Sequence, residues 1–252
     1  MIELFSLAGK RALVTGASRG LGRSMAEALA AAGADVICTS SRPGGARDTA
    51  AAIRALGRTA WELAANHAEH DEVARMAEEA QRIGAIDILV NAAGTIRRAP
   101  AVDYSMEDWD TVLRTNLDAT WILCHQLGKP MVQRGSGKIV NVASLLAFSG
   151  GITVPAYAAS KHAVAGLTKA LANEWARFNV QVNAIAPGYF RTDNTSALQE
   201  DPVRSKEIES RIPAGRWGEP RDIAGTVVFL ASRASDYVNG HILLVDGGWM
   251  AR

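Results

Sequence analysis

Tyr157 and Lys161 stand four places apart in the stretch YAASK, a spacing that on a helix sets both side chains on one face about 5–6 Å apart. An ammonium held beside a phenol favours the phenolate and draws its pKa down from about 10. The pair therefore predicts an acid/base able to exchange a proton near neutral pH. A surface tyrosine next to a solvated lysine would satisfy the same spacing, so the rest of the chain has to decide. The run TGASRGLG, Thr15 to Gly22, is the second chemical feature. It follows an apolar segment and opens a helical one. Gly16, Gly20 and Gly22 there let the backbone turn tightly and approach a pyrophosphate, whose charge a helix N-terminus favours. Ser18, Arg19 and Leu21 belong to the same predicted cofactor loop.

The next apolar segment ends in CTSSRP. An acidic residue at that place holds the ribose 2′-hydroxyl of NAD and repels a 2′-phosphate. Ser40 stands there instead, with Arg42 close behind, and Arg19 adds a second cation able to reach a phosphate. The expectation is NADP or NAD as cofactor, with NADP favoured.

These residues need a scaffold, and the chain supplies a repeating one. Apolar runs at 11–15, 35–40, 59–64, 86–91, 138–144, 180–187 and 241–246 predict seven strands. Ala-rich helical segments separate them: Leu21 to Ala32, about Arg47 to Leu56, Glu69 to Arg82, two helices after residue 91, and Tyr157 to Phe178. The capping-box pattern SMED at 105–108 opens one of these. Runs that are apolar without alternation, separated by helices, imply an α/β doubly wound Rossmann fold, a seven-stranded parallel sheet flanked by helices on both faces. Ligands of such sheets gather at the C-terminal strand ends. One domain, 1–252, is expected, with 189–215 as a mobile substrate lid because it is polar and long; a solvated surface insertion is the alternative.

Bulk numbers narrow the partners. With 27 basic and 26 acidic residues the formal charge is +1, which gives no electrostatic footprint for nucleic acid or an anionic membrane. A soluble cytoplasmic protein is expected, since no apolar run of about 18 residues occurs. Cys38 and Cys124 have no obvious mate and read as buried thiols of a reducing compartment. His67, His70 and Asp71 lack a third ligand at suitable spacing, so no metal is expected.

Together, Thr15 to Gly22, NAAG at 91–94, Asn116, Ser144, the Tyr157/Lys161 pair and PG at 187–188 resemble the short-chain dehydrogenase/reductase family over the whole chain. The resemblance implies a catalytic set of Ser144, Tyr157, Lys161 and Asn116. Tyr157 would be the acid/base, Ser144 would bond the substrate oxygen, Lys161 would hold the nicotinamide ribose, and Asn116 would support a water. It also implies cofactor contacts from Asn66, His67, Asn91, Ala93, Gly94, Pro187, Gly188 and Thr192, and substrate contacts from Arg97, Ser144, Leu146, Tyr157 and Tyr189. Two departures from the family pattern stand out: Ala92 where a second asparagine is usual, and Asn66 where an acid usually meets the adenine.

Within the family the chain most resembles the sugar-acid enzymes of the 2-deoxy-D-gluconate 3-dehydrogenase and 2-dehydro-3-deoxy-D-gluconate 5-dehydrogenase type, through residues 91–100, 172–195, 211–220 and 234–252. Arg97 and Arg98 are placed to grip a carboxylate bidentately. A 3-oxoacyl-carrier-protein reductase and a broad polyol dehydrogenase are the alternatives, and a non-catalytic dinucleotide-binding protein is a remote one. A homotetramer formed through the Tyr157 helix is the further implication.

Overall fold

Seven strands form where the apolar runs lie, in a computed structural model that describes residues 3–252. They are β1 (Arg11–Val14), β2 (Asp35–Ser40), β3 (Ala60–Ala64), β4 (Ile88–Asn91), β5 (Gly137–Val142), β6 (Val180–Pro187) and β7 (Ile242–Val245). Their order is β3-β2-β1-β4-β5-β6-β7, and every pairing is parallel. The helices are α1 (Gly20–Ala31), α2 (Arg47–Ala55), α3 (His70–Ile83), α4 (Met106–Leu113), α5 (Ala119–Arg134), α6 (Pro155–Trp175), α7 (Ser196–Glu200), α8 (Pro202–Arg211) and α9 (Ala224–Ala231).

Alternate strand residues serve opposite layers, as the pleat requires. Val14, Val36 and Val90 pack with Met25, Leu29, Ile53, Val227 and Leu230, so α1, α2 and α9 cover one face. Leu13, Ile37 and Leu89 pack with Val73, Met76, Leu123, Leu127 and Trp175, so α3, α5 and α6 cover the other. Burial on both faces explains why the strands read as apolar without alternation. The chain reverses direction across the sheet between β1 and β4, and that switch point opens a crevice at the C-terminal strand ends.

Two local features carry the site. Ser105 caps α4 by accepting from the Asp108 amide at 3.1 Å, as the capping pattern predicts. After α4 the helix widens into a π turn at Arg114–Asp118 before α5 begins, a distortion frequent at functional positions. The segment 189–215 is not an irregular insertion. It folds into α7 and α8, and its Ile208 and Ile212 bury themselves against Leu145, Trp217 and Trp249 in a small core of their own. Its polar surface residues outnumber these anchors, which is why composition alone suggested a loose stretch. No helix among the described residues is long and apolar enough to cross a membrane.

Candidate active site

The crevice holds a cleft of about 240 Å³. Its base is the glycine loop, where Gly16 takes a φ of +64° and a Cβ would come within 2.9 Å of the Ala93 Cα. A Cβ on Gly22 would meet the Gly16 carbonyl at 2.2 Å, so the first turn of α1 lies directly on the loop. Thr15 ties this loop to the opposite wall: its Oγ1 accepts from the Ala92 and Ala93 amides, both at 2.9 Å. On the third side Gly188 passes so close to the Asp246 backbone that a Cβ would sit 2.7 Å from its Cα. Backbone alone lines much of this space beside a helix N-terminus, and that is a fit for a dinucleotide pyrophosphate.

Most residues expected at the cofactor reach this cleft. Gly16, Ser18, Arg19, Gly20, Leu21 and Gly22 line one side, Ala93 and Gly94 a second, and Pro187, Gly188 and Thr192 a third, with Ser144, Tyr157 and Lys161 at the far end. Others do not. Asn91 is turned into the sheet, where its Nδ2 donates to Asn141 Oδ1 at 2.8 Å. Asn66 accepts from the Ala68 amide at 3.1 Å and is exposed, while His67 is buried with its Nδ1 against the Ala65 carbonyl and its pKa lowered by that burial. Ser40 donates to the Arg42 carbonyl at 2.7 Å inside the turn after β2, leaving no acid at that strand end. Arg42 is exposed there. Arg19 pairs with Asp193 across the cleft mouth at 2.9 Å.

At the reacting end the i, i+4 spacing on α6 does place Lys161 over the Tyr157 ring, its Nζ 5.5 Å from the ring centre. Lys161 is buried, donates to the Val142 carbonyl at 2.6 Å, and has its pKa pushed down to about 8 by desolvation. The tyrosine shift runs opposite to the sequence expectation. Burial raises the Tyr157 pKa, while the Ser144 hydrogen bond and the Arg98 charge pull it back; Lys161 is not among the groups that move it. Removing water from a phenol costs its anion more than a neighbour held to a carbonyl repays.

Asn116 sits in the π turn and is buried. Its Oδ1 accepts from the Thr95 amide at 2.8 Å, and its Nδ2 donates to the Thr95 carbonyl at 3.0 Å and to Ser160 Oγ at 3.1 Å. Ser160 donates in turn to the Tyr157 carbonyl at 2.8 Å. The asparagine side chain thus clamps the loop after β4 to the helix that carries the tyrosine. Its own carbonyl accepts from Thr120 Oγ1 at 2.8 Å.

Between the two arginines the structure separates sharply. Arg97 turns to Asp108, Nε to carboxylate 3.3 Å, and to Thr95 Oγ1. Arg98 is the one whose charge acts on Tyr157, and it donates to the Asn194 carbonyl at 3.3 Å. Ser144 accepts from the Leu146 amide at 3.2 Å, which fixes its side chain at the end of β5. Leu146 packs under the loop at Gly151, where a Cβ would come within 2.6 Å of its Cδ1. Tyr189 packs tilted against Trp249, ring centres 4.6 Å apart, and edge-on to Trp217 at 5.6 Å. Thr95, Ser160 and Asp193 are site residues that the sequence reading does not single out; adjacency to a motif is the only signal for them.

A hollow of about 440 Å³ lies at the N-terminal strand ends, lined by Lys10, Asp87, Lys138 and Asp236 among others. Lys10 and Lys138 are each paired with a carboxylate there. The chemistry is all at the opposite end of the sheet, so the smaller cleft is the candidate site.

The family model described as Enoyl-(Acyl carrier protein) reductase matches residues 16–250. The 2-dehydro-3-deoxy-D-gluconate 5-dehydrogenase of Bacillus subtilis (strain 168) is 53% identical over 250 residues, covering 99% of this chain and 98% of that protein. The chain belongs to the short-chain dehydrogenase/reductase family. Two solved structures resemble this short-chain enzyme throughout. One, from Agrobacterium tumefaciens, is described as a 2-deoxy-D-gluconate 3-dehydrogenase with bound NADP; it is 52% identical with a TM-score of 0.93 and covers 99% of this chain and 100% of that one. The other is a gluconate 5-dehydrogenase from Burkholderia cenocepacia J2315 in complex with NADP and tartrate, 42% identical with a TM-score of 0.95, covering 99% and 98%.

Proposed function

We propose that this short-chain enzyme interconverts a secondary hydroxyl and a ketone on a sugar acid of the 2-deoxygluconate or keto-deoxygluconate type, with NADP(H) taken in preference to NAD(H). The observation that carries the reading is the cleft itself, a glycine loop on one side and Ser144, Tyr157 and Lys161 at its far end, with Arg98 on the loop after β4 adding a positive charge that pulls the Tyr157 pKa down. A guanidinium there suits a carboxylate and would orient the carbon chain so that one hydroxyl faces the phenol. The relatives named above act, by their names, on acids of this kind.

Bound dinucleotide supplies the hydride donor or acceptor. The chain's own residues do the rest. Tyr157 gives its proton to the carbonyl oxygen during reduction and takes it back during oxidation. Ser144 donates to the same oxygen as charge develops on it. Lys161 holds the ribose, and Asn116 positions the loop that carries Arg98. Arg19 and Arg42 grip the 2′-phosphate, since the end of β2 offers Ser40 and no carboxylate. The segment 189–215 closes over the substrate.

Arg98→Gln is expected to raise KM for a sugar acid about tenfold to a hundredfold, the loss of a charged hydrogen bond, with little change for a neutral polyol. Steady-state kinetics on both substrate classes checks this. The wider test is oxidation and reduction of 2-deoxy-D-gluconate and keto-deoxygluconate against an acetoacetyl thioester, with each nicotinamide. A thioester preference, or a strong NADH preference, would overturn the reading.

The assembly proposed is a homotetramer. Trp121 on α5 is 45% exposed, and Ala159 and Gly166 lie exposed on α6, leaving a flat face for close helix contact. Light scattering at micromolar protein measures it. The working compartment proposed is the cytoplasm: Cys38 and Cys124 are buried free thiols pushed up to about 12 by desolvation, inert core groups rather than bridges.

A further inference from the structure

Asp193 faces the wrong way for a binding site that recognises phosphate. It is the first residue of a short turn, Asp193–Thr195, that leads into α7, and its carboxylate sits 2.9 Å from Arg19 Nε at the mouth of the cleft. The turn is firmly made. Thr195 Oγ1 donates to the Phe190 carbonyl at 2.6 Å, and Gln199 Nε2 donates to the Thr192 carbonyl at 3.1 Å and to Thr195 Oγ1 at 2.8 Å. It is also held against both walls: a Cβ on Gly20 would stand 3.5 Å from the Thr192 methyl, and Arg98 donates to the Asn194 carbonyl. The carboxylate is therefore presented to Arg19 by a stiff support rather than by a wandering side chain.

Arg19 has one guanidinium and two anionic claimants. We propose that Asp193 is a specificity-determining residue: it occupies Arg19 and so weakens binding of the 2′-phosphorylated dinucleotide relative to the unphosphorylated one. The inference rests on the reading that Arg19 and Arg42 hold the 2′-phosphate. An incoming phosphate has to displace the carboxylate from Arg19 Nε or share the guanidinium with it, and a carboxylate left nearby repels it. A dinucleotide with a free ribose hydroxyl needs no such exchange and meets no such repulsion. The ion pair is exposed, 72% and 69% for the two side chains, so the exchange costs a factor of about two to five rather than orders of magnitude.

The test is direct binding without turnover. Isothermal titration of NADP+ and NAD+ is carried out on the full chain, on Asp193→Asn, on Arg19→Gln and on the double variant, at low and at physiological salt. The expected result is that Asp193→Asn tightens NADP+ about two- to fivefold, leaves NAD+ unchanged, loses its effect in the Arg19→Gln background, and shows the larger gain at low salt. Equal tightening of both dinucleotides would assign Arg19 to the shared pyrophosphate and overturn the proposal. No change in either, with Arg19→Gln still weakening NADP+, would leave the phosphate reading standing and sink the role of Asp193 alone. An Arg19→Gln variant that binds NADP+ as well as the parent would remove the premise itself.

Discussion

Tyr157→Phe is expected to lower kcat by about 10²–10⁴-fold for both oxidation and reduction, the usual worth of a positioned proton donor. Affinity for the dinucleotide should stay within about twofold, because the ring remains and only the hydroxyl leaves. The cleft makes this a clean substitution. Tyr157 sits half-buried on α6, its phenol meets Ser144 and feels Arg98, and its backbone carbonyl is held by Ser160. None of the backbone anchoring depends on the hydroxyl. The raised phenol pKa has a consequence for pH as well. Burial raises the phenol pKa, so the group is protonated and stands ready as the acid for reduction at neutral pH. Oxidation, which needs the phenolate, should keep accelerating as the solution becomes more alkaline. Opposite pH trends for the two directions, followed by stopped-flow absorbance of the nicotinamide, check both points; a phenylalanine variant that turns over at the parent rate ends the assignment.

The second large effect concerns Lys161, where stability and activity should move apart. A buried ammonium with the Val142 carbonyl as its partner is an expensive group, and desolvation has pushed its pKa from 10.5 to about 8. The sign follows from proton counting. Between about pH 8 and 10.5 the unfolded chain carries a proton that the folded chain has given up, so stability rises with pH across that window. Below pH 8 the whole penalty is present. Lys161→Met keeps the stem and removes the charge. It should gain about 1–3 kcal/mol against urea at pH 7, with the gain shrinking towards pH 10, while turnover falls about 10²-fold or more. A variant less stable than the parent at pH 7, or one whose gain ignores pH, would show that the carbonyl bond outweighs the desolvation.

Several elements were legible residue by residue. The bounds of β2 and β6 coincide with the apolar runs at 35–40 and 180–187, and Ser105 caps its helix as SMED suggested. Parallel strands buried on both faces leave a strong mark in sequence, since each strand must be apolar throughout. The segment 189–215 was less legible because its buried apolar anchors, Ile208 and Ile212, are few among many solvated residues. Asn91 misled for a related reason. Strand residues alternate between faces, and its place at the end of β4 put its side chain towards Asn141 and Cys124 rather than towards the cleft.

Legible in the residues alone is a set of spacings: the glycine loop between strand and helix, the phenol and amine one helical turn apart, and the serine at the end of β5. These are short-range relations that backbone geometry enforces wherever the element forms. Only the folded chain draws Arg97 away to Asp108 while leaving the charge of Arg98 to act on the phenol, pushes the phenol pKa up rather than down, and brings Asp193 to Arg19 from the far side of the cleft. Those outcomes depend on desolvation and on charges brought in from distant parts of the chain, and neither is a property of local spacing.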